Sequence, residues 1–381
     1  MAQTVGVQAY RDEFPMTSEW AYLNHAAHGP FPARTVKAVQ DYAASWASPS
    51  DFDDSRNEEI ITGARVGIAE LAGGSPSMVT FNGSLAEGMN LLANGIDWKD
   101  GDNVLIPVKE FPSVVYPFLN LEYRGVTVRF VEKNAAGHTD IGLIEAAMDD
   151  RTRAVALSHV EFMDGYKNDL NALGSLCQSR GIELFVDATQ SLGAQLIDLN
   201  GSGVTAVAAH GYKWLLASFG IAVVVFAEGA IERIRPTYAG RMSVDASWED
   251  SEYKLNFKST AERYQTGGMN IIGLTALHSS LSLVREVSPE WNARHTAGLI
   301  DRLAAGVTES GYTVVSTLDP QYRSQIVAIT SGDLKRDGEI VEELEKRNVA
   351  VTLRGRGIRI SPYFYNSNED IDRLLEALPP R

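Results

Sequence analysis

The chain reads as an α/β protein: a seven-stranded, mainly parallel sheet with helices on both faces, then a smaller α+β lobe. Three features predict this. Between about residues 75 and 230, short apolar strands alternate with helical segments. In the last third, short strands interleave with two further helices. Finally, Asp187 closes one apolar run and Lys213 stands just past the next. That edge of an α/β sheet is where ligands usually bind.

The elements follow in order. Residues 1–20 are expected to pack on the small lobe, and WAYLNHAAHGPFP then leads into amphipathic helices over about 32–48 and 55–73. The seven strands are SMVTF, NVLIPV, VTVRFV, RAVALS, IELFV, VTAVAA and IAVVVF. Each reads as four to seven buried β residues. Helices such as SLAEGMNLLANGI, SVVYPFLNLEYRG and DIGLIEAAMDD separate them. IAVVVF follows VTAVAA with no room for a crossover helix, so it should run antiparallel. Residues 230–270 look irregular and polar, and helices are expected over 271–285 and 289–310. YTVVS, SQIVAIT, a helix over 336–347, VAVTLR, GIRIS and a helix over 367–378 complete the small lobe. This pattern sets a large domain over 21–260 and a small one over 261–381.

Composition excludes several classes. The net charge is −15, from 34 basic and 49 acidic side chains, with no basic patch interleaved with aromatics. Such a surface disfavours nucleic acid and anionic membranes. No apolar run approaches a membrane span, and MAQTVGVQAYRDEF has no secretory pattern, so a cytoplasmic location is expected. Cys177 is the only cysteine, which forbids an intramolecular disulfide and a cysteine metal cluster. Leu170, Leu173 and Leu176 place it on an apolar helical face, where it acts as a small hydrophobe. The seven histidines form no HExxH pattern, so no metal is expected.

The Asp187–Lys213 pair suits pyridoxal 5′-phosphate (PLP). This cofactor needs a lysine amine for its Schiff base and a carboxylate to keep its ring nitrogen protonated. Each residue alone also has an ordinary reading, Asp187 as a turn residue and Lys213 as a solvated charge. The other requirements of the cofactor have candidates as well. Gln190, one turn past Asp187, is placed to reach the ring hydroxyl. Asn82-Gly83-Ser84-Leu85 offers free N–H groups and a hydroxyl at a helix start for the phosphate, although Ser84 is equally a plain N-cap. His210 and Tyr212 add donors, and Phe111 offers a stacking face or a core side chain. Arg359 in GIRIS and Arg354 in TLRGR are candidates for a substrate carboxylate. Strand alternation turns Arg359 away from Ile358 and Ile360, toward an anion or toward solvent.

YLNHAAHGP, EFPSVVYP, LFVDATQSLGA, HGYKWL, RYQTGGMN and IRISPYFYN, taken together, resemble the class V branch of fold type I PLP enzymes. Cysteine desulfurases, selenocysteine lyases, kynureninases, isopenicillin N epimerases and ergothioneine-pathway C–S lyases belong to that branch. The resemblance covers nearly the whole chain. It implies that Lys213 is the Schiff-base lysine, Asp187 the pyridinium partner, Gln190 the residue at the ring hydroxyl and Phe111 the stacking group. It implies phosphate contacts from Ser84, Leu85, His210 and Tyr212, and a carboxylate site at Arg359. Asn24, His25 and Arg354 are further substrate-binding candidates. Gly268 falls where many members carry a threonine reaching the neighbouring subunit's phosphate; that hydroxyl is missing here, which leaves the backbone of Gly267 and Gly268, or nearby Thr266, to serve, and the likeness implies a homodimer with shared sites. Desulfurases carry a nucleophilic cysteine in the C-terminal lobe, and here no cysteine follows Cys177.

The resemblance implies a carbon–sulfur lyase acting by β-elimination on a cysteine S-conjugate or a cysteine-like amino acid. Transamination, epimerisation with His25, His28 or Tyr238 as second base, and a decarboxylating or oxidatively deaminating reaction remain open. A non-catalytic PLP-fold binding protein is the reading from another class, and the intact Lys213, Asp187 and Gln190 argue against it.

Overall fold

The computed structural model describes residues 7–48, 54–245 and 253–380. Strand β1 (Ala21–Tyr22) comes first. The large sheet then takes β2 (Val79–Asn82), β3 (Asn103–Pro107), β4 (Thr127–Val131), β5 (Thr152–Ser158), β6 (Glu183–Asp187), β7 (Ala206–His210) and β8 (Ala222–Phe226). Their order is β2-β8-β7-β6-β5-β3-β4. All neighbours are parallel except β8, which is antiparallel to both β7 and β2. The expected seven strands and the antiparallel last one are therefore present.

Register brings the chemistry to one edge. Ser158 pairs with Asp187, and Asp187 with Ala208, so β5, β6 and β7 end together. His210 and Asn82 both pair with Ala222 of the strand between them. The turn after β2 therefore opens on the same edge as the lysine loop.

Two cores sandwich the sheet. On one face, helices Ala33–Ser45, Asp54–Ala72 and Ile271–Val287 bury Ile60, Ile68, Leu274, Leu277 and Leu281. On the other, helices Leu85–Gly95 and Pro112–Leu119 bury Met89, Leu92, Val114 and Phe118. Gly67 lets the helix Ile271–Val287 approach closely, since a Cβ there would lie 3.0 Å from Leu281.

The small lobe holds β9 (Thr313–Val314), β10 (Val327–Thr330), β11 (Val349–Ala350), β12 (Thr352–Arg354) and β13 (Gly357–Ile360). Four of these form an antiparallel sheet in the order β12-β13-β10-β9. Two boundaries differ from the sequence expectation. The segment VAVTLR splits, and its first part, β11, pairs in parallel with β1, so Ala21 and Leu23 belong to the small-lobe core. Helix Ile271–Val287 lies in the large-domain core, so the small lobe starts near Pro289 rather than at 261. Periodicity shows that such a helix has an apolar face but not which core receives it.

Two residues of the N-terminal segment make contacts with the last part of the chain. Arg11 Nη1 lies 2.6 Å from the Asp370 carboxylate, and the rings of Phe14 and Tyr365 are 4.2 Å apart. Residues 1–6 of that segment lie outside the described residues.

Candidate active site

Asp187 ends β6 and is 5% exposed. Thr189 N donates to Asp187 Oδ1 at 2.8 Å, which fixes the side chain. Burial raises the carboxyl pKa, and the Thr189 hydrogen bond and the Lys213 charge oppose that rise. Lys213 lies three residues past the end of β7 and is 9% exposed. Its ammonium is 5.8 Å from the Phe111 ring centroid and 5.9 Å from that of Tyr212. Desolvation lowers its pKa to about 8; Asp187 raises it, while Arg359 and Arg354 press it further down. An amine tuned this way is neutral for part of the time at physiological pH, as a nucleophile or proton acceptor must be.

The turn at residues 24–30 clasps this lysine loop. Gly29 N donates to Tyr212 O at 2.9 Å, and a Cβ on Gly29 would run into Lys213 O. His25 is fully buried, its Nε2 3.2 Å from Lys213 O and its Nδ1 2.9 Å from the Tyr365 hydroxyl. The ring is sandwiched among Trp214, Tyr363 and Tyr365. Burial lowers its pKa to about 3, so it is a neutral ring. His25 therefore does not face the cleft as the substrate-binding residue or second base expected of it; both nitrogens are spent on the protein. Its neighbour Asn24 bridges to Ser361, two residues from Arg359, and its buried Oδ1 has no partner.

Gln190 is held by Trp214, whose Nε1 donates to Oε1 at 2.8 Å, while Nε2 donates to Ala26 O at 3.1 Å. One amide N–H remains for a ligand. Phe111 caps the helix Pro112–Leu119 and packs edge-on against Phe162, with centroids 5.3 Å apart.

At the end of the cleft expected to take the phosphate, Ser84 caps helix Leu85–Gly95, with Oγ accepting from Glu87 N at 3.1 Å. The Glu87 carboxylate accepts from Gly83 N at 2.7 Å and so takes one of the donors expected for phosphate. Leu85 N makes a long contact of 3.5 Å to His210 Nδ1, and burial lowers the His210 pKa to about 4. Gly267 and Gly268 have open space where a Cβ would stand. They line a cavity of about 630 Å³ with Asn82, Gly83, Glu87 and Tyr238.

Arg359 is 2% exposed. Its Nη1 donates to Phe162 O at 2.8 Å, and its buried Nε has no partner. Desolvation and the nearby Arg354 lower its pKa to about 10. Arg354 itself is exposed.

Sequence reading missed several residues. Thr189 carried a signal, since an Asp two residues before it forms a local turn. Phe162, Trp214, Ser158 and Glu110 carried none. Glu110 is buried behind the site and accepts from Ser158 N at 2.8 Å and Ser158 Oγ at 2.6 Å. His159 also escaped notice; it is buried, with its pKa lowered to about 3 by burial and by Lys167.

The donor set fits PLP. A fixed buried carboxylate and a desolvated amine lie beside an aromatic ring, and a buried guanidinium keeps an unused N–H. The chain belongs to the class V aminotransferase family, whose model matches residues 21–374. This is the PLP-dependent class V group of fold type I enzymes. In particular, the chain is 26% identical to a protein of Methanothermobacter thermautotrophicus named "Probable cysteine desulfurase", covering 97% of this chain and 96% of that one. Its fold matches the apo structure of a cysteine desulfurase from Thermococcus onnurineus at a TM-score of 0.87 and 21% identity, covering 99% and 98% of the two chains. It also matches the cystine C–S lyase C-DES in two forms. One is a mutant with glycine covalently linked to the PLP cofactor (TM-score 0.88, 21% identity, 96% and 98% covered). The other is the complex with its reaction product, cysteine persulfide (TM-score 0.86, 21% identity, 95% and 98% covered). Among the described residues no helix is long and apolar enough to cross a membrane, and no cluster suits a metal ion.

Proposed function

We propose that the chain is a PLP-dependent carbon–sulfur lyase that cleaves a cysteine S-conjugate or a cysteine-like amino acid by β-elimination. Bound PLP supplies the electron sink that stabilises negative charge at the substrate α-carbon. Lys213 would hold the cofactor through its amine and would accept the substrate α-proton. Asp187 would keep the ring-nitrogen proton in place, Phe111 would cover the ring and Gln190 would offer an N–H to its hydroxyl. Arg359 receives the substrate α-carboxylate. As the α-proton leaves, the C–S bond breaks and the electron pair departs with the thiolate. Water then completes the release of pyruvate and ammonia.

The observation that carries elimination over sulfur relay is Cys177. It is the only thiol in the chain, it is fully buried in helix Leu170–Ser179, and burial pushes its pKa up to about 12. A buried neutral thiol neither attacks nor stores sulfur. The names of the relatives point the other way, toward desulfurases, so the distinction needs a direct test. The holoenzyme is incubated with cysteine and with S-conjugates, and thiol, pyruvate, ammonia and protein-bound persulfide are measured. Equal yields of thiol and pyruvate with no persulfide are expected, and Cys177→Ala should behave alike. Persulfide on Cys177, or loss of turnover in a folded Cys177→Ala protein, would restore the sulfur-relay reading.

We also infer a homodimer. Phe219, Tyr238 and Ile272 are exposed large side chains near the cavity of Gly267 and Gly268. A second copy seated there would cover them and bring its own glycine loop toward the phosphate end.

A further inference from the structure

The hairpin that carries Arg359 carries a second arginine in a telling place. β12 and β13 are joined by a two-residue turn, Gly355-Arg356, and Thr352 pairs with Arg359 as Arg354 pairs with Gly357. Residues directly opposed across strands share a face, as do residues two apart along a strand. Thr352, Arg354 and Arg359 therefore stand on one face, and Leu353 and Ile358 on the other. Ile358 is buried in the small-lobe core with Ile329 and Ile340. The arginine face must then be the one turned to the large domain, and Arg359 confirms it by donating to Phe162 O. Gly355 at the tip rests on Met163, where a Cβ would lie 3.0 Å from the sulfur.

The two arginines differ in depth. Arg359 is buried, whereas Arg354 is exposed and has no hydrogen bond or ion pair among the described residues. The charge of Arg354 reaches inward, since it holds down the pKa of both Arg359 and Lys213. Three cations thus face one cleft in a chain of net charge −15. One α-carboxylate satisfies the deep arginine, and an amino acid with a neutral side chain leaves the outer one facing solvent alone.

We propose that Arg354 reads a second anionic group at the far end of the substrate side chain, so that the preferred substrates are cysteine conjugates ending in a carboxylate or sulfonate. This rests on the amino-acid reading of the site given above. An anion lying between the outer guanidinium and solvent would relieve the repulsion now felt by Arg359 and Lys213, and Arg suits it because its planar fork matches a carboxylate.

The test uses holoenzyme and two ligands of the same shape that differ by one charge, S-carboxymethyl-L-cysteine and its side-chain amide. Binding is read from the visible absorbance of the bound cofactor. The carboxylate should bind about tenfold tighter at low salt, a preference that added salt weakens. Arg354→Gln should bring the affinity ratio close to unity, and Arg354→Lys should keep part of it. Equal affinities in the unaltered protein would overturn the proposal, as would an undiminished ratio in Arg354→Gln. Arg359→Gln should instead weaken both ligands together. If neither ligand binds the unaltered holoenzyme, the amino-acid reading fails first and this proposal falls with it.

Discussion

Lys213 is an amine that folding has moved out of water and set among like charges. Its pKa is 10.5 as a free side chain and about 8 in the fold. Between those values the unfolded chain binds more protons, so stability rises with pH there. The burial cost is therefore fully present below pH 8 and fades toward pH 10.5. Its size is up to about 3 kcal/mol, at about 1.4 kcal/mol per pKa unit. Lys213→Met should raise the melting temperature of the cofactor-free protein, and the gain should shrink across that window. Thermal melts of both proteins below and above the window check this; no gain at neutral pH would mean the amine is not buried as a cation. The same variant should fail to hold PLP after borohydride treatment, because the amine proposed to attach it is gone.

At the scale of elements, the turn at residues 24–30 ties three parts together. Gly29 meets the lysine loop after β7, and His25 spans from that loop to Tyr365 of the small lobe. Tyr363 adds a second tie, its hydroxyl 2.7 Å from Gly193 O and 2.9 Å from Trp214 O. A methyl group on Gly29 would collide with backbone, which cannot swing aside as a flexible side chain can. Gly29→Ala should therefore cost roughly 2 kcal/mol or more in urea unfolding and displace the lysine. The measurable mark is weaker PLP retention in protein that is still folded. Normal retention and stability would show that the loop relaxes freely.

For the whole molecule, pH and assembly are the informative variables. His25 and His159 are buried and neutral, with pKa values near 3 against 6.5 outside the fold. Between those values the unfolded chain binds more protons, so their contribution is fully present above pH 6.5 and is lost as pH falls toward 3. Near pH 5 the two together should steepen the loss of stability by up to about 2.7 kcal/mol per pH unit. Urea unfolding at several pH values measures that slope, and His25→Gln should reduce it by about half. A slope unchanged by the substitution would place the acid sensitivity elsewhere, in the buried carboxylates. Sedimentation should show a dimer. Gly268→Asp should leave that dimer intact while weakening PLP binding, through a negative charge beside the phosphate. A fully active monomer would refute the shared site.

The sequence by itself determined the sheet, its one antiparallel strand and the placing of Asp187 and Lys213 at one edge of it. Strand and helix periods are local, and the Asp187–Lys213 spacing is fixed by two neighbouring strands. It also showed that no thiol follows Cys177. Only the tertiary structure decided what depends on contacts between distant segments. His25 reads as a polar cleft residue in YLNHAAHGP, yet Trp214, Tyr363 and Tyr365 close around it from two other regions of the chain. Helix Ile271–Val287 has an apolar face that either lobe might have buried, and the helices Ala33–Ser45 and Asp54–Ala72 claim it. Arg354 and Arg359 are five residues apart in sequence, and it is the antiparallel register of the hairpin that sets both on one face. Period and composition act over a few residues, whereas burial is settled by whichever distant surface arrives.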